Sequence, residues 1–217
     1  MIRIIDLYDL THTMAGTYLG GYTAPWEALE GIDRFIEELG RTLGGGYKEI
    51  SPKVWAHKSA KIAPTAYIGA PAVIGENSEV RHCAFIRGSA LVGENCVVGN
   101  STELKNVILF DGVQVPHFNY VGDSILGYKA HMGAGSIISN IKADKTLVVV
   151  HGDSDMPTGL KKAGAFLGDF AEVGCNSVLN PGTVVGRRSS VYPLSSVRGV
   201  IPADSIYKGE GRIIHKG

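Results

Sequence analysis

The first hydrophobic pattern along the chain has the period of an α-helix. Between residues 25 and 43, apolar residues recur at intervals of three and four, which places them on one side of a helix. These positions are Trp26, Leu29, Ile32, Phe35, Ile36, Leu39 and Leu43. Pro25 suits the first helical turn, and the glycines at 44–46 permit the backbone to leave the helix. The pattern predicts one amphipathic helix within an N-terminal extension that covers residues 1–50.

After these glycines the hydrophobic period changes to six residues. Apolar residues fall six apart without interruption at Ile62, Ile68, Ile74, Val80, Ile86, Val92, Val98, Leu104 and Phe110. The series resumes at Leu126, Met132 and Ile138, and again from Leu167 to Val197. A period of six fits neither a helix nor an ordinary sheet. It predicts a coiled chain in which each hexad forms one short strand and one turn, with the apolar side chains buried in a continuous column.

Residues 142–165 interrupt this period. We expect them to form a loop insertion within a repeat domain that covers residues 51–217, and such loops on a rigid scaffold often carry binding groups. The ends of a coiled column need a cover, because an open end exposes unpaired strand edges. We expect the N-terminal helix to cover the first coil and the segment from Gly199 onward to cap the last one.

Composition narrows the classes of partner. Lys plus Arg and Asp plus Glu are equal at 21 each, so the formal charge of zero gives no overall attraction to nucleic acid or to an anionic membrane. No apolar run reaches the ~18 residues of a membrane span. Three cysteines, Cys83, Cys96 and Cys175, are an odd number in a sequence without a secretory signal. This favours a reducing compartment, and we expect a cytoplasmic protein.

The hexad repeat, from about residue 54 to residue 210, resembles that of the hexapeptide-repeat family. The resemblance implies an all-β fold, namely a left-handed parallel β-helix with three hexads per coil. It also implies a homotrimer, because the sites of the family lie between neighbouring subunits. The fold alone does not fix the chemistry, since the family includes acyltransferases, carbonic anhydrases and subunits without catalysis.

Two cations, Arg87 and Lys105, lie three hexads apart, so one coil would stack them at a spacing of ~4.8 Å. Either the side chains spread apart in solvent, or an anion such as a phosphate lies between them and forms charge-assisted hydrogen bonds with both. His117 follows Pro116, where the hexad register breaks. It is either a histidine hydrogen-bonded at a bend or a general base, a task for which imidazole is suited near neutral pH.

Three stretches carry a closer resemblance: HFNYVGDSILG, HMGAGSIISN and TGLKKAGAFLGDFAEVGCNSVLNPGTVVG. They resemble the acetyltransferase domain of bifunctional enzymes that make UDP-N-acetylglucosamine, and that of archaeal sugar-1-phosphate enzymes. The resemblance implies acetyl-CoA as co-substrate, an amino sugar 1-phosphate of the glucosamine 1-phosphate type as acceptor, and no metal requirement. It implies that His117 takes a proton from the substrate amine and that Ala134 offers its N–H to an oxyanion.

The same resemblance assigns further residues. It places Asn140 in catalysis and the CoA moiety near Ala134 and Cys175, and it gives substrate binding to Arg87, Lys105, Tyr120, His131 and Lys145. Two positions depart from the family pattern, because the bacterial enzymes have Asn in place of His131 and Ser in place of Cys175.

Other classes stay open. Residues 1–50 are too short for the nucleotidyltransferase domain of those enzymes and contain no Gly-rich phosphate loop, which argues against nucleotidyl transfer. A non-catalytic sugar-nucleotide-binding subunit would keep the same fold, as would a hexapeptide acyltransferase with a different acceptor. A zinc carbonic anhydrase would use His82 and His117, but Gly122 stands where its third histidine would be.

Overall fold

The structure, a computed structural model, describes residues 1–217. Its N-terminal extension contains five short helical segments, and residues 25–43, predicted as one amphipathic helix, form a 3-10 helix followed directly by an α-helix. Three are α-helices, α1 (Ile4–Leu7), α2 (Gly16–Leu19) and α3 (Ile32–Thr42), and two are 3-10 helices, Leu10–His12 and Pro25–Gly31. The predicted helix divides at Gly31, whose backbone departs from the helical conformation with φ −99° and ψ 0°.

The rest of the chain forms short strands joined by turns. In chain order they are β1 (Tyr47–Ser51), β2 (Val54–His57), β3 (Lys61–Ile62), β4 (Tyr67–Ile68), β5 (Ala72–Ile74), β6 (Glu79–Val80), β7 (Phe85–Ile86), β8 (Ala90–Val92), β9 (Val97–Asn100), β10 (Glu103–Leu109), β11 (Gln114–His117), β12 (Tyr120–Leu126), β13 (His131–Met132), β14 (Ile137–Ile138), β15 (Val149–His151), β16 (Asp155–Pro157), β17 (Ala165–Leu167), β18 (Glu172–Val173), β19 (Val178–Leu179), β20 (Thr183–Val185), β21 (Ser190–Val191), β22 (Ser196–Val197), β23 (Val200–Ile201), β24 (Ser205–Tyr207) and β25 (Ile213–His215).

These strands stack into the three faces of a β-helix, which confirms the predicted fold. The first face contains β2, β5, β8, the C-terminal halves of β10 and β12, then β17, β20 and β23. The second contains β3, β6, β9, β11, β13, β18, β21 and β24. The third contains β4, β7, the N-terminal halves of β10 and β12, then β14, β19 and β22. Neighbours on each face are parallel, except that β1 pairs antiparallel with β2 and β25 with β24 at the two ends.

The hexad register differs from the prediction at one turn. Ile86 pairs with Leu104, a full three hexads further along the chain, whereas Val92 pairs with Leu109, which falls one position short of three hexads. The turn that follows Leu104 is therefore shorter by one position than the corresponding turn of the preceding coil. As a result, Leu109 takes the inward position predicted for Phe110, and the Phe110 ring packs against Tyr8 of the N-terminal extension at 5.1 Å.

A column of large apolar side chains occupies the outer side of the first face. It consists of the middle residues of successive strands, which the strand register aligns: Trp55, Val73, Leu91, Ile108, Ile125, Phe166 and Val184. All seven are buried. Side chains on either side of a strand alternate in direction, so this column is separate from the inward aliphatic column of the hexads.

The N-terminal extension lies along this outer column. Trp26 contacts Phe166 with ring centroids 5.8 Å apart, and the Tyr8 hydroxyl donates to the carbonyl of Ile125 at 3.2 Å. At the other end, α3 approaches Trp55 so closely that a Cβ at Gly40 would overlap the indole. The expectation that this segment covers the first coil is therefore wrong, because the larger apolar surface lies on the side of the β-helix and not at its end.

The loop insertion contains a hairpin of its own. Strands β15 and β16 pair antiparallel, and the hairpin places Val148 and Val150 in the buried core beside β20. At the C-terminus, β25 pairs with β24 and covers the last edge of the second face. The chain contains no helix that combines the length and the apolar character needed to cross a membrane.

Candidate active site

A buried ion pair lies at the corner between the third and first faces. The Lys105 Nζ donates to both carboxylate oxygens of Asp123, at 2.9 and 3.2 Å. Asp123 has only 4% of its surface exposed and adopts a left-handed backbone conformation with φ +48°. This conformation bends β12, whose pairing with β10 is interrupted at that residue. The bend directs the carboxylate toward Lys105 of the preceding coil.

Asn140 and Tyr120 extend this corner into a hydrogen-bonded cluster. The Asn140 Nδ2 donates to Asp123 Oδ2 at 2.5 Å and also lies 3.2 Å from the Tyr120 Oη. Gly122 makes the arrangement possible, because a Cβ there would lie 2.6 Å from the Tyr120 Oη and 2.8 Å from the Asn140 Nδ2. Burial raises the pKa of the Tyr120 hydroxyl, and the nearby carboxylates of Asp123 and Glu103 raise it further. The hydroxyl is therefore protonated at neutral pH.

Arg87 stacks one coil from Lys105, as the sequence spacing predicts. The Arg87 N–H donates to the carbonyl of Leu104, which fixes the register of the two cations. Each cation also has a carboxylate partner, since the guanidinium of Arg87 donates to Glu103 at 3.0 Å. The Arg87 side chain is 46% exposed and available to a ligand. A phosphate at this corner would have to compete with Glu103 for the guanidinium.

His117 lies at a different corner, between the second and third faces. Its exposed ring makes no hydrogen bond within the chain, and none joins it to the Lys105 cluster. The N–H of Gly135 donates to the His117 carbonyl at 3.0 Å, and that of Asn176 donates to the Ala134 carbonyl at 2.9 Å. His117, Ala134 and Cys175 therefore follow one another at intervals of one coil along this corner.

The backbone N–H of Ala134 has no acceptor within the chain. Its neighbours in sequence, Gly133 and Gly135, both donate to adjacent coils. The Cys175 N–H, at the same turn position one coil further on, also has no acceptor, whereas the His117 N–H one coil earlier donates to Asn119 Oδ1 at 3.1 Å. Such a donor, one coil from an imidazole, can stabilise an oxyanion that develops near that imidazole.

Two other predicted residues lie apart from both groups. His131 is on the second face, where its Nδ1 lies 2.8 Å from Glu172. Lys145 is exposed in the loop insertion, and its side chain makes no hydrogen bond within the chain. The structure brings together Lys105, Tyr120 and Asn140 in one cluster, with Arg87 stacked beside it. His117, Ala134 and Cys175 form a second group, and no group of His, Cys, Asp or Glu side chains is arranged to hold a metal ion.

Three polar residues of the cluster were missed by the sequence reasoning. Asp123 belongs to the stretch that carries the family resemblance, but no role was assigned to it. Asn106 donates to Asp123 Oδ1 at 3.0 Å, and Glu103 pairs with Arg87. The available signal was spacing, because Asp123 follows Lys105 at the same interval at which Lys105 follows Arg87. The coil is one residue shorter here, so the register pairs Lys105 with Gly122, and the Asp123 carboxylate reaches the ammonium from the next position.

Sequence comparison finds relatives along most of the chain. It is 30% identical over 218 residues to the bifunctional protein GlmU of Methanococcus maripaludis strain C5, which covers 99% of this chain and 53% of that protein. It is 32% identical over 146 residues to the bifunctional sugar-1-phosphate nucleotidylyltransferase/acetyltransferase of Sulfurisphaera tokodaii, covering 67% of this chain and 36% of that protein. The chain spans about half the length of the relatives that it matches over almost its full length. No family model matches it.

Comparison with solved structures gives weaker likenesses. The polySia specific acetyltransferase NeuO aligns with a TM-score of 0.49 at 14% identity, covering 74% of this chain and 77% of that chain. The acetyltransferase domain of PglB from Neisseria gonorrhoeae aligns with a TM-score of 0.36 at 17% identity, covering 70% of this chain and 52% of that chain. The fold described above rests on the strand pairing of the chain itself.

Proposed function

We propose that this chain, a member of the hexapeptide-repeat β-helix family, is an acetyl-CoA-dependent N-acetyltransferase that acts on an amino sugar 1-phosphate of the glucosamine 1-phosphate type. The product would serve UDP-N-acetylhexosamine synthesis. One observation carries the proposal: His117 and Ala134 occupy equivalent positions on adjacent coils, and the imidazole of the first and the backbone N–H of the second both lack a partner within the chain. A relative that is named for acetyltransferase activity and matches 67% of the chain supports it.

In the proposed reaction, the amine of the sugar reacts in its neutral form, and the His117 imidazole accepts the proton that its nitrogen loses on attack. The amine nitrogen forms a bond to the thioester carbonyl carbon of acetyl-CoA, and the Ala134 N–H donates to the oxyanion that develops. When the tetrahedral intermediate collapses, the C–S bond breaks and the thiolate of CoA leaves with a proton from the imidazolium. The rest of CoA extends along the corner past Cys175. None of these steps requires a metal.

Arg87 and Lys105 hold the phosphate of the acceptor in this proposal. We expect Arg87→Ala to raise the KM for glucosamine 1-phosphate by about ten- to a hundredfold, since a hydrogen bond between charged groups contributes ~1.5–3 kcal/mol. The KM for acetyl-CoA should not change. Glu103→Gln should have the opposite effect and lower the acceptor KM, because it removes the carboxylate that competes for Arg87.

Arg81→Ala provides the matched control, because Arg81 also pairs with a glutamate but does so on the second face. It should leave both KM values unchanged. Steady-state kinetics with each substrate varied in turn will decide the matter. An unchanged acceptor KM in both Arg87→Ala and Glu103→Gln would show that the phosphate does not bind at this corner.

We also propose a homotrimer, with the β-helices roughly parallel and the sites between neighbouring subunits. The third face supports this, because Tyr67, Phe85 and Val178 expose 60%, 42% and 39% of their surface along its outer side. His117 and the Lys105 cluster lie on opposite corners of that face, so a partner that covers it brings additional groups to both. Sedimentation should give three times the 23.0 kDa mass of one chain. A stable and active monomer would contradict the assembly.

A second candidate is an acyltransferase with an acceptor that lacks the 1-phosphate. The carboxylate partners of Arg87 and Lys105 favour it, because both cations are already neutralised. A non-catalytic sugar-nucleotide-binding subunit is a third candidate. Thiol release from acetyl-CoA with amino sugars, each with and without the 1-phosphate, separates the first two. No release with any of them, together with a melting shift on addition of a sugar nucleotide, would favour the third.

We also propose that the reaction takes place in the cytoplasm. The number of cysteines is odd and all of them are free, which is typical of proteins in a reducing compartment. The formal charge of zero is the basis for proposing neither nucleic acid nor a membrane as partner. The acceptor-binding roles of His131 and Lys145 remain predictions, as does the part of Asn140 in catalysis.

A further inference from the structure

Asp123 receives more hydrogen bonds than any other carboxylate of the candidate site. Three side chains donate to it: the Lys105 Nζ at 2.9 Å, the Asn106 Nδ2 at 3.0 Å and the Asn140 Nδ2 at 2.5 Å. Its backbone is fixed as well, because the Gly164 N–H donates to its carbonyl at 2.7 Å. The carboxylate is almost fully buried, so water does not take the place of these donors. Its surroundings leave it one role, that of an acceptor.

This acceptor determines the orientation of the Asn140 side chain. An amide has a donating NH2 group and an accepting oxygen, whereas a carboxylate only accepts. The Asn140 Nδ2 must therefore face Asp123, and its second hydrogen points to the Tyr120 Oη at 3.2 Å. Both donors of the amide are used in this way. The Asn140 Oδ1 is left as an acceptor without a partner in the chain.

The orientation is transmitted to Tyr120. Its oxygen accepts from Asn140, so its own hydrogen is available to an outside acceptor, and no group of the chain takes it up. Burial and the neighbouring carboxylates raise the pKa of this hydroxyl, which keeps that hydrogen in place at neutral pH. The cluster thus offers one acceptor, at Asn140, and one donor, at Tyr120.

We propose that Asp123 is a positioning residue. It determines which atoms in the binding site for the sugar substrate donate hydrogen bonds and which accept them. Through Asn140 it selects a substrate that presents an amine or hydroxyl donor to the Asn140 Oδ1 and an oxygen acceptor, such as that of a phosphate or a hydroxyl group, to the Tyr120 hydroxyl. Asp123 itself does not touch the substrate. The selection of substrate rests on the proposed function, whereas the orientation of Asn140 does not.

Asp123→Asn tests the selection. It replaces the pure acceptor by an amide that can also donate, so Asn140 is free to turn over and present its NH2 group to the substrate. We expect the KM for the amino sugar acceptor to rise about ten- to a hundredfold, with an unchanged KM for acetyl-CoA. A role in stability alone predicts less folded protein, with both KM values unchanged in the fraction that folds.

Asn140 can also be observed without any activity. In protein labelled with 15N-asparagine, the Asn140 side-chain NH2 resonance is identified by its absence from Asn140→Asp. We expect its hydrogens to exchange with solvent at least tenfold more slowly than those of an exposed asparagine such as Asn95, and to lose this protection in Asp123→Asn. The wild-type measurement is informative even if the variant does not fold, and Asp123→Glu, which keeps the acceptor, should retain the protection.

The outcomes separate the two proposals. Fast exchange of the Asn140 amide in the wild type, or unchanged protection in Asp123→Asn, would overturn the role of Asp123. An active Asp123→Asn variant with an unchanged acceptor KM would overturn it as well. If the wild type releases no thiol with any amino sugar, the proposed function fails, and the exchange measurement still decides whether Asp123 orients Asn140.

Discussion

Replacing His117 with alanine is expected to lower kcat by about two to four powers of ten, the usual contribution of a general base. The attacking nitrogen cannot form a bond to the thioester while it carries its full complement of protons, so the reaction depends on a base that accepts one. The KM values for both substrates should change little, because the His117 ring makes no hydrogen bond that supports the neighbouring groups. Thiol release under saturating substrates measures the effect.

His82 offers a control at the same corner of the β-helix. The N–H of Ser101 donates to the His82 carbonyl and that of Phe118 to the Asn100 carbonyl, which places His82 two coils before His117. Its ring is 2.9 Å from the Thr65 hydroxyl. His82→Ala should therefore retain the wild-type kcat. A His117→Ala variant that keeps full activity would exclude His117 as the base, and equal losses in both variants would indicate a structural effect of the corner.

Much of the fold was predictable because its physical cause is local and repeated. Each hexad requires one apolar residue inside and a turn after it, so Ile74, Val80 and Ile86 report the same geometry again and again. The stacking of Arg87 on Lys105 followed from the same period. The error at Phe110 arose because a single turn is shorter by one position, and both Leu109 and Phe110 are large and apolar. Hydrophobicity alone does not distinguish two such neighbours.

The partners within the site were harder to predict. The link between Lys105 and Asp123 depends on a left-handed backbone at Asp123, a conformation that aspartate adopts more readily than most residues. Such turn residues recur every five or six positions along the β-helix, but the sequence analysis followed the apolar positions and not the turns. The pairing of Arg87 with Glu103 joins residues on adjacent coils that are 16 positions apart, outside the repeat period. Such contacts follow from the three-dimensional course of the turns. The sequence therefore predicted the positions of the two cations but not the carboxylates that pair with them.

The location of the N-terminal extension was mispredicted for a different reason. The strands of the first face carry apolar residues on both sides, and the sequence analysis counted only the inward series. Leu91 lies between Ala90 and Val92, and Val73 between Ala72 and Ile74, so each strand forms a short continuous apolar run. A strand of this kind is covered on both sides. Read in this way, the runs of the first face predict a cover along the side of the β-helix.

Deleting residues 1–46 is expected to abolish recovery of soluble protein, because it uncovers this outer column. The exposed side chains would include Leu91, Ile108 and Phe166, all of them fully buried in the intact chain. A contiguous strip of this kind promotes association between chains. The milder change Trp26→Ala removes one contact of the extension, that with Phe166, and should cost about 3–5 kcal/mol of unfolding free energy.

A second change distinguishes a lateral cover from an end cap. In the deleted chain, replacing Leu91 and Ile108 with lysine puts charges on the strip and leaves the end of the first coil as it was. If the extension serves as a lateral cover, the lysine variant should recover soluble protein, measured by size-exclusion chromatography and melting temperature. If it instead caps the coil, the lysine substitutions should make no difference. A deleted chain that stays monodisperse and melts at the wild-type temperature would show that the strip needs no cover, and the packing of Trp26 on Phe166 would then contribute little to stability.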